Sequence, residues 1–186
     1  MIFPFTQQYD AMDCGPACLK MIARYHKRNF SLAWIRKKCY ITKEGVSFLG
    51  LSEAADSIGF KTLGLKIPVD FLMEKIPLPC IAHWRQNHFV VVYRIRKNKI
   101  YIADPAAGKI CCSPEEFEKN WAGTFIDGKK TGLVLILEPT PSLYDTDEEK
   151  VETKGFRFLS EYFRMYRKYL SQLILGLIIG SFIQLI

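Results

Sequence analysis

One stretch near the N-terminus decides how this chain is interpreted: Gln8-Tyr9-Asp10-Ala11-Met12-Asp13-Cys14-Gly15-Pro16-Ala17-Cys18. It places a glutamine six residues before a cysteine that begins a predicted helix. Hydrolases with a cysteine nucleophile need both groups: a thiolate at a helix N-terminus, and an amide that hydrogen-bonds the oxyanion formed when the thiolate attacks a carbonyl. The stretch therefore favours a thiol hydrolase, with Cys14 as the nucleophile and Gln8 as the oxyanion donor.

The residues around Cys14 predict the helix. Asp13 is a suitable N-cap, and Pro16 fits the first turn, where its missing N–H is not needed. Apolar residues then recur at helical spacing, at Ala17, Cys18, Met21, Ile22 and Tyr25. Cys14 would lie at the positive end of the helix dipole, which stabilises a thiolate. The alternative interpretation is that Cys14 is a small buried hydrophobic residue, as most free cysteines are.

Length and composition indicate one folded domain with an attachment. The 186 residues are 49% hydrophobic and 13% aromatic, which is enough for one substantial core. The net charge is +7, but the basic residues are scattered and form no nucleic-acid-reading motif, so no nucleic acid partner is expected. Six cysteines without a secretory signal predict reduced thiols and a cytosolic domain, since the neighbours Cys111 and Cys112 are poorly placed to pair with each other.

The middle of the chain changes from helical to extended. Ser31 and Ser47 are predicted to cap two short helices, and a capping box at Ser113–Glu116 begins another helix that ends near Trp121. Strands are predicted at 80–84, 88–93, 100–105, 124–126 and 133–137. A helical N-terminal half packed on an antiparallel sheet predicts an α+β domain.

Two of the predicted strands form a hairpin around a turn at Lys97–Lys99. His88 begins the first strand and Asp104 ends the second, so both lie toward the same open end. A thiol nucleophile needs an imidazole that accepts its proton and returns it to the leaving amine, and a carboxylate or amide holds that imidazole in place. His88 is therefore the predicted general base and Asp104 its orienting carboxylate, provided that the strand register puts both on one face.

Other residues with catalytic or metal-binding chemistry have simpler interpretations. His83 is the rival general base, but it lies inside a short strand without an evident carboxylate partner. Cys14, Cys18 and His26 could suggest zinc, yet a structural zinc site takes four ligands and no second pair is suitably spaced. No metal site is therefore predicted.

The C-terminal part changes composition in three stages after a domain that is expected to cover residues 1–138. Residues 139–155 are acidic and contain proline, which predicts a linker. Residues 156–169 mix aromatic and basic side chains, which is typical of a helix at a membrane interface. The uncharged apolar run 170–186 is shorter than the about 20 residues of a full span, which predicts the start of a truncated transmembrane helix. The basic residues before it place the N-terminal side in the cytoplasm.

Five motifs follow one another in the first 138 residues: Gln8, Asp13–Leu19, Gly45-Val46-Ser47, Asn87–Val91, and Asp104-Pro105-Ala106 with Gly108. Together they resemble the papain-like cysteine peptidase domains at the N-termini of bacteriocin-processing ABC transporters. The resemblance implies a papain-like fold with Cys14 as nucleophile, His88 as general base, Asp104 as orienting carboxylate and Gln8 in the oxyanion hole.

Members of that family cleave a precursor peptide after the double-glycine motif that ends its leader, and the attached transporter exports the mature part. The resemblance thus implies a cysteine endopeptidase acting on a bacteriocin-like or signalling precursor at the cytoplasmic side of the cell membrane. The transporter context implies membrane and nucleotide-binding domains as partners and a homodimer formed through the transporter part. No cofactor is implied for the peptidase. Because the sequence has no Walker A motif, ATP is expected to bind to a nucleotide-binding domain outside this chain.

Two other function classes remain open from the sequence. A peptide-docking domain would bind cargo for export without cutting it, and related domains of that kind lack the nucleophile that is present here. Another thiol hydrolase, such as an amidase acting on cell-wall peptides, would use the same side chains but would be expected to carry a secretion signal.

Overall fold

The computed structural model describes residues 2–42, 45–126, 128–147, 169, 171–172, 176–178 and 180–181. Its helices are a 3₁₀ turn at Ala11–Asp13 and then α1 (Cys14–Tyr25), α2 (Leu32–Lys38), α3 (Phe48–Ser57), α4 (Val69–Lys75), α5 (Pro114–Trp121) and α6 (Pro141–Asp145). Its strands are β1 (Phe60–Ile67), β2 (Cys80–Trp84), β3 (His88–Arg96), β4 (Lys99–Asp104), β5 (Gly108–Cys112), β6 (Thr124–Ile126) and β7 (Lys129–Pro139). The chain forms two compact units, Met1–Glu149 and Lys150–Ile186, and the described residues of the second are helical.

The first unit is built on a sheet with the strand order β1-β7-β2-β3-β4-β5, and β6 pairs with the outer part of β7. All of these strand pairs are antiparallel, which confirms the predicted α+β class. β1, α4 and β5 were not predicted from the sequence. In β1 only the two end residues, Phe60 and Ile67, are buried, so the strand lacks the apolar alternation that predicts a half-buried strand.

Helices cover both faces of the sheet. One core lies between the sheet and the N-terminal helices, and it includes Phe89 and Val91 of β3. The other lies between the sheet and α4 with α5, and it includes Val90 and Val92 of the same strand. This double burial explains why β3 begins with an unbroken apolar run, because a strand that is buried on both faces has no solvent side to keep polar.

Side-chain caps begin α2, α3 and α5 where the sequence predicted them. Ser31 Oγ accepts a hydrogen bond from Trp34 N at 3.2 Å, and Ser47 Oγ accepts one from Gly50 N at 3.0 Å. The predicted capping box of α5 is also present, with reciprocal bonds between Ser113 and Glu116. Each cap satisfies a backbone N–H that has no partner within its own helix.

The compact unit continues past Glu138, where the sequence analysis ended the domain. β7 runs to Pro139, and α6 follows it with Leu143 fully buried in the core. A Cβ atom added to Gly59 would lie 2.2 Å from Leu143 N, so the α6 backbone packs directly on the turn between α3 and β1. α6 was not predicted because the segment 139–147 contains prolines and acidic residues, and Leu143 is the apolar residue of α6 that is buried.

Little of the predicted C-terminal attachment is described. Residues 148–168 lie outside the described part, and they include residues 148–155 of the predicted linker and all of the predicted interfacial helix except its last residue. Only short pieces of 170–186 are described, and each is helical. Within the described part of the chain, none of the helices has the length and apolar character needed to cross a membrane.

Candidate active site

The chain enters α1 through a 3₁₀ turn. Asp10 Oδ1 accepts a hydrogen bond from Met12 N at 3.4 Å, and Asp13 Oδ2 accepts one from Asp10 N at 3.2 Å. Asp13 occupies the N-cap position of α1 but makes no side-chain cap there, contrary to the sequence analysis. Its buried carboxylate instead pairs with Arg36 Nη1 at 3.1 Å. Because a buried carboxylate is costly without a charged partner, this pair ties the start of α1 to α2.

Cys14 is the first residue of α1 and is only 5% exposed. The next residue must be small: a Cβ atom on Gly15 would lie 2.3 Å from Val46 Cγ1. Glycine therefore allows the segment before α3 to pack against the helix start. The result is a thiol at the positive end of a helix dipole, at the edge of a cleft.

His88 and Asp104 are in direct contact. His88 Nε2 lies 2.7 Å from Asp104 Oδ1, which also accepts a hydrogen bond from Ala106 N at 2.8 Å. Burial would raise the pKa of Asp104, but the hydrogen bonds from His88 and Ala106 outweigh burial and lower it. Asp104 therefore stays ionised and holds the imidazole by Nε2, which leaves Nδ1 available to the thiol.

A β-bulge at Tyr93 lies within the hairpin that carries His88 and Asp104. Toward the turn, Arg94 pairs with Tyr101, whereas toward the open end Val92 pairs with Ile102. Tyr93 is the extra residue between these two pairs, so the register differs by one residue on its two sides.

This shift decides where Asp104 points. An unbroken register from the turn would place Asp104 opposite Val91, and so on the face away from His88. In the structure Ala103 is opposite Val91, and Asp104 therefore shares a face with His88. The register of the hairpin could not be established from the sequence. The bulge supplies the register that puts His88 and Asp104 on one face.

Cys14 completes the environment of the imidazole. Burial alone would lower the pKa of His88, but its hydrogen bonds to Asp104 and Cys14, together with the negative charges of both groups, raise the pKa to about 9. His88 is therefore protonated at neutral pH, beside a thiol at a helix N-terminus. This arrangement is suited to a thiolate and imidazolium pair, the reactive form of a cysteine nucleophile.

Gln8 lines the same cleft as Cys14, His88 and Asp104. Its backbone N donates to Pro105 O at 3.1 Å, which ties it to the loop directly after Asp104. Its side-chain Oε1 is buried and has no hydrogen-bond partner among the residues that the structure describes. The Gln8 side chain thus lines the cleft that Cys14 and His88 also line, and its buried Oε1 is not used in a hydrogen bond among the described residues.

The cleft has a volume of about 1000 Å³. One part of its wall comes from the N-terminal side, with Met12, Gly45 and Val46. Another part was not identified from the sequence: it consists of Trp84, Arg85, Glu116, Lys119 and Asn120. Trp84 ends β2, Arg85 follows it, and the other three belong to α5. No local motif links them, so only the folded sheet brings them to the site.

The other candidate residues lie elsewhere. His83 is not among the residues that line the cleft; its ring packs on that of Phe89 with centroids 5.0 Å apart, and burial lowers its pKa. Burial raises the pKa values of Cys39 and Cys80 to about 12. All six cysteines are free thiols. In the described ranges, no group of three or more His, Cys, Asp or Glu residues is arranged to hold a metal ion.

Known proteins that are similar to this chain include members of one peptidase family. Residues 2–132 match the model of the peptidase C39 family. The lactococcin transport/processing ATP-binding protein LcnC-like of Lactococcus lactis subsp. lactis is 36% identical over 159 residues, which are 82% of this chain and 21% of that protein. This chain therefore spans about a fifth of the length of that relative.

Two solved structures are similar in both sequence and fold. One is a double glycine motif protease from an AMS/PCAT transporter, crystallised with the leader peptide. It has a TM-score of 0.65 and 34% sequence identity, and the match covers 74% of this chain and 91% of that chain. The peptidase domain of Streptococcus ComA, a bi-functional ABC transporter involved in quorum sensing, has a TM-score of 0.64 and 31% identity, and covers 75% of this chain and 100% of its own.

Proposed function

The chain belongs to the peptidase C39 family of cysteine peptidases, and we propose that it removes double-glycine leaders from peptides destined for export. The substrate would be a bacteriocin-like or signalling precursor. The observation that carries this proposal is the position of His88, which bonds to Asp104 through one ring nitrogen and interacts with Cys14. A domain that only docks peptides has no need for such a contact.

The proposed reaction begins with attack of the Cys14 thiolate on the carbonyl carbon of the second glycine. The oxyanion that forms is stabilised by the Gln8 side chain and the Cys14 backbone N–H. His88, held by Asp104, gives its proton to the departing amine, and the acyl-enzyme forms as the peptide bond breaks. Water then attacks the acyl carbon, with His88 as the general base, and the leader leaves with a free carboxylate.

The cleft wall near Cys14 supports selection of small residues. Met12, Gly45 and Val46 lie on that side, and Val46 already packs against Gly15 with no room for an added methyl group. A substrate residue with a Cβ would compete for this space, whereas glycine would not. The rest of the leader is proposed to bind as an amphipathic helix along an apolar groove, a common mode of recognition for helical peptides.

The export context is part of the same proposal. The acidic segment before 156 would serve as a linker, residues 156–169 would lie at the membrane interface, and 170–186 would begin a transmembrane helix. The peptidase would then work on the cytoplasmic side of the cell membrane, beside the membrane and nucleotide-binding domains of an ABC transporter. ATP would bind to the nucleotide-binding domain, and homodimerisation would take place through the transporter part.

The test is cleavage of a synthetic precursor that carries a double-glycine leader, followed by mass spectrometry. We expect one cut after the second glycine with the wild-type chain and none with Cys14→Ala. A precursor with Ala-Ala in place of Gly-Gly should remain intact. Binding without cleavage by the wild-type chain would instead support the peptide-docking alternative.

A further inference from the structure

The turn that precedes His88 has an unusual backbone. Residues 85–87 connect β2 to β3, and the loop closes at the pair between Trp84 and His88. Arg85 and Gln86 have φ angles of +47° and +65°. Residues with a Cβ rarely adopt this left-handed conformation, which costs on the order of 1 kcal/mol each and persists only where the surroundings hold it.

Asn120 near the end of α5 holds this turn by two hydrogen bonds. Arg85 N donates to Asn120 O at 2.8 Å, and Arg85 Nε donates to Asn120 Oδ1 at 3.0 Å. The amide of Asn120 is itself fixed, because its Nδ2 donates to Glu116 O one turn earlier at 2.8 Å. The turn therefore uses a carbonyl at the helix end that has no partner within α5.

Gln86 is restrained from the other side. A Cβ atom on Gly123, just after α5, would lie 1.5 Å from Gln86 Nε2, so the Gln86 amide packs directly on the glycine backbone. Past His88, the next residue is also anchored: Cys18 Sγ donates to Phe89 O at 3.2 Å. His88 thus stands between an anchored turn and an anchored core residue.

We propose that Asn120 is a positioning residue, which holds the turn at 85–87 and thereby sets the place of His88 relative to Cys14 and Asp104. This inference rests on the proposed function in that it assigns His88 the role of catalytic base. The bond from Arg85 N to the carbonyl of residue 120 remains in any variant, so the side chain of Asn120 supplies the part of the restraint that a substitution removes. The backbone immediately before His88 is strained, and without this side chain it relaxes toward ordinary φ values and moves the imidazole. Asn120 itself takes no part in proton transfer.

The first test needs no substrate. The rate of Cys14 alkylation by iodoacetamide at pH 6 reports the pairing of the thiol with His88. We expect Asn120→Ala to slow this rate roughly tenfold, less than the about 100-fold that an ångström of misplacement can cost. Asn120→Asp keeps an acceptor oxygen for Arg85 and should recover most of the rate. Glu118→Ala, on the same helix but outside the cleft, should match the wild type.

The second test separates positioning from substrate contact. With a double-glycine precursor, Asn120→Ala should lower kcat roughly tenfold and leave KM within about twofold, because geometry at the reacting atoms is what changes. Thermal unfolding should confirm that all three variants fold. A raised KM with unchanged kcat and unchanged alkylation would overturn the inference, as would equal losses in Asn120→Ala and Glu118→Ala. If the wild type does not cleave this precursor, the proposed substrate is wrong, whereas the alkylation series still decides the role of Asn120.

Discussion

His88 Nε2 lies 2.7 Å from Asp104 Oδ1, although the pairing at the tip of their hairpin would put the two side chains on opposite faces. The bulge at Tyr93 removes this conflict by shifting the register one residue before the strands reach the site. Tyr93 is also stacked on Phe3, with ring centroids 4.7 Å apart, so the N-terminal segment that carries Gln8 packs on the same bulge.

Replacing Asp104 should change the pH dependence of activity. The pKa of His88 is about 9, so its imidazolium is present below that pH and is lost as the pH rises through it. In Asp104→Asn the negative charge is gone and burial favours the neutral ring. We expect the alkaline limb of kcat/KM to move down by about 1–2 pH units, with kcat lower by about 10²-fold. An unchanged limb would show that Asp104 does not control His88.

The same shift predicts a pH dependence of stability. Because the pKa of His88 is raised on folding, its contribution to stability is fully present below the ordinary value of 6.5 and is lost as the pH rises through about 9. Asp104→Asn should therefore reduce the decline in Tm between pH 6.5 and 9. Calorimetry of the two proteins at a series of pH values checks this, and parallel curves would contradict it.

Gln8 should affect turnover and not thiol activation. Gln8→Ala removes an oxyanion donor, and we expect kcat to fall by about 10²–10³-fold. Alkylation of Cys14 by iodoacetamide forms no oxyanion, so its rate should stay near that of the wild type. Gln7→Ala is the matched control, because Gln7 is exposed and does not line the cleft. Equal losses in both variants would point to a general effect on the N-terminal segment.

Cys14 should be alkylated first among the six cysteines. Burial raises the pKa of Cys18, Cys39 and Cys80, and the pKa of Cys112 is raised to about 11 by burial and by the Glu116 charge. Limited treatment with iodoacetamide at pH 6.5, followed by peptide mapping, should find the label on Cys14. In His88→Ala this preference should disappear, and the exposed Cys111 should then react fastest. Uniform labelling of the wild type would argue against an activated thiol.

Gly15→Ala should destabilise the fold through a clash with Val46, and shortening Val46 should remove that clash. The added methyl group would overlap Val46 Cγ1, so we expect Gly15→Ala to destabilise the fold by about 1–3 kcal/mol. In Gly15→Ala/Val46→Ala the space is restored, and most of the loss should be recovered. Urea unfolding of the single and double variants measures this coupling, and purely additive losses would mean that the two side chains do not compete.

The C-terminal limit of the peptidase unit can be tested through Leu143. Since Leu143 is fully buried, Leu143→Ala should cost about 2–5 kcal/mol, whereas Tyr144→Ala, at a residue that is 52% exposed, should be nearly neutral. A chain ending at 138 should be less stable than one ending at 147 by a similar or larger amount. Equal stability of the two truncated chains would restore the boundary expected from the sequence.

The sequence alone determined the parts of this protein that depend only on neighbouring residues. The helix at Cys14, the caps at Ser31 and Ser47, the capping box of α5 and the hairpin from His88 to Asp104 all depend on local backbone preferences and on patterns of a few residues. The four side chains that we propose for catalysis could also be named from the sequence, because their motifs are short and follow one another in order.

Only the tertiary structure decided how those parts meet. The bulge at Tyr93 depends on how two strands pack between two cores, and no residue near it in the sequence predicts a shift of register. Asn120 reaches the turn before His88 only because α5 packs across the sheet, and Leu143 joins a core made mostly by the N-terminal half. Such contacts follow from the balance of burial over the whole domain, which is not contained in any one segment of the chain.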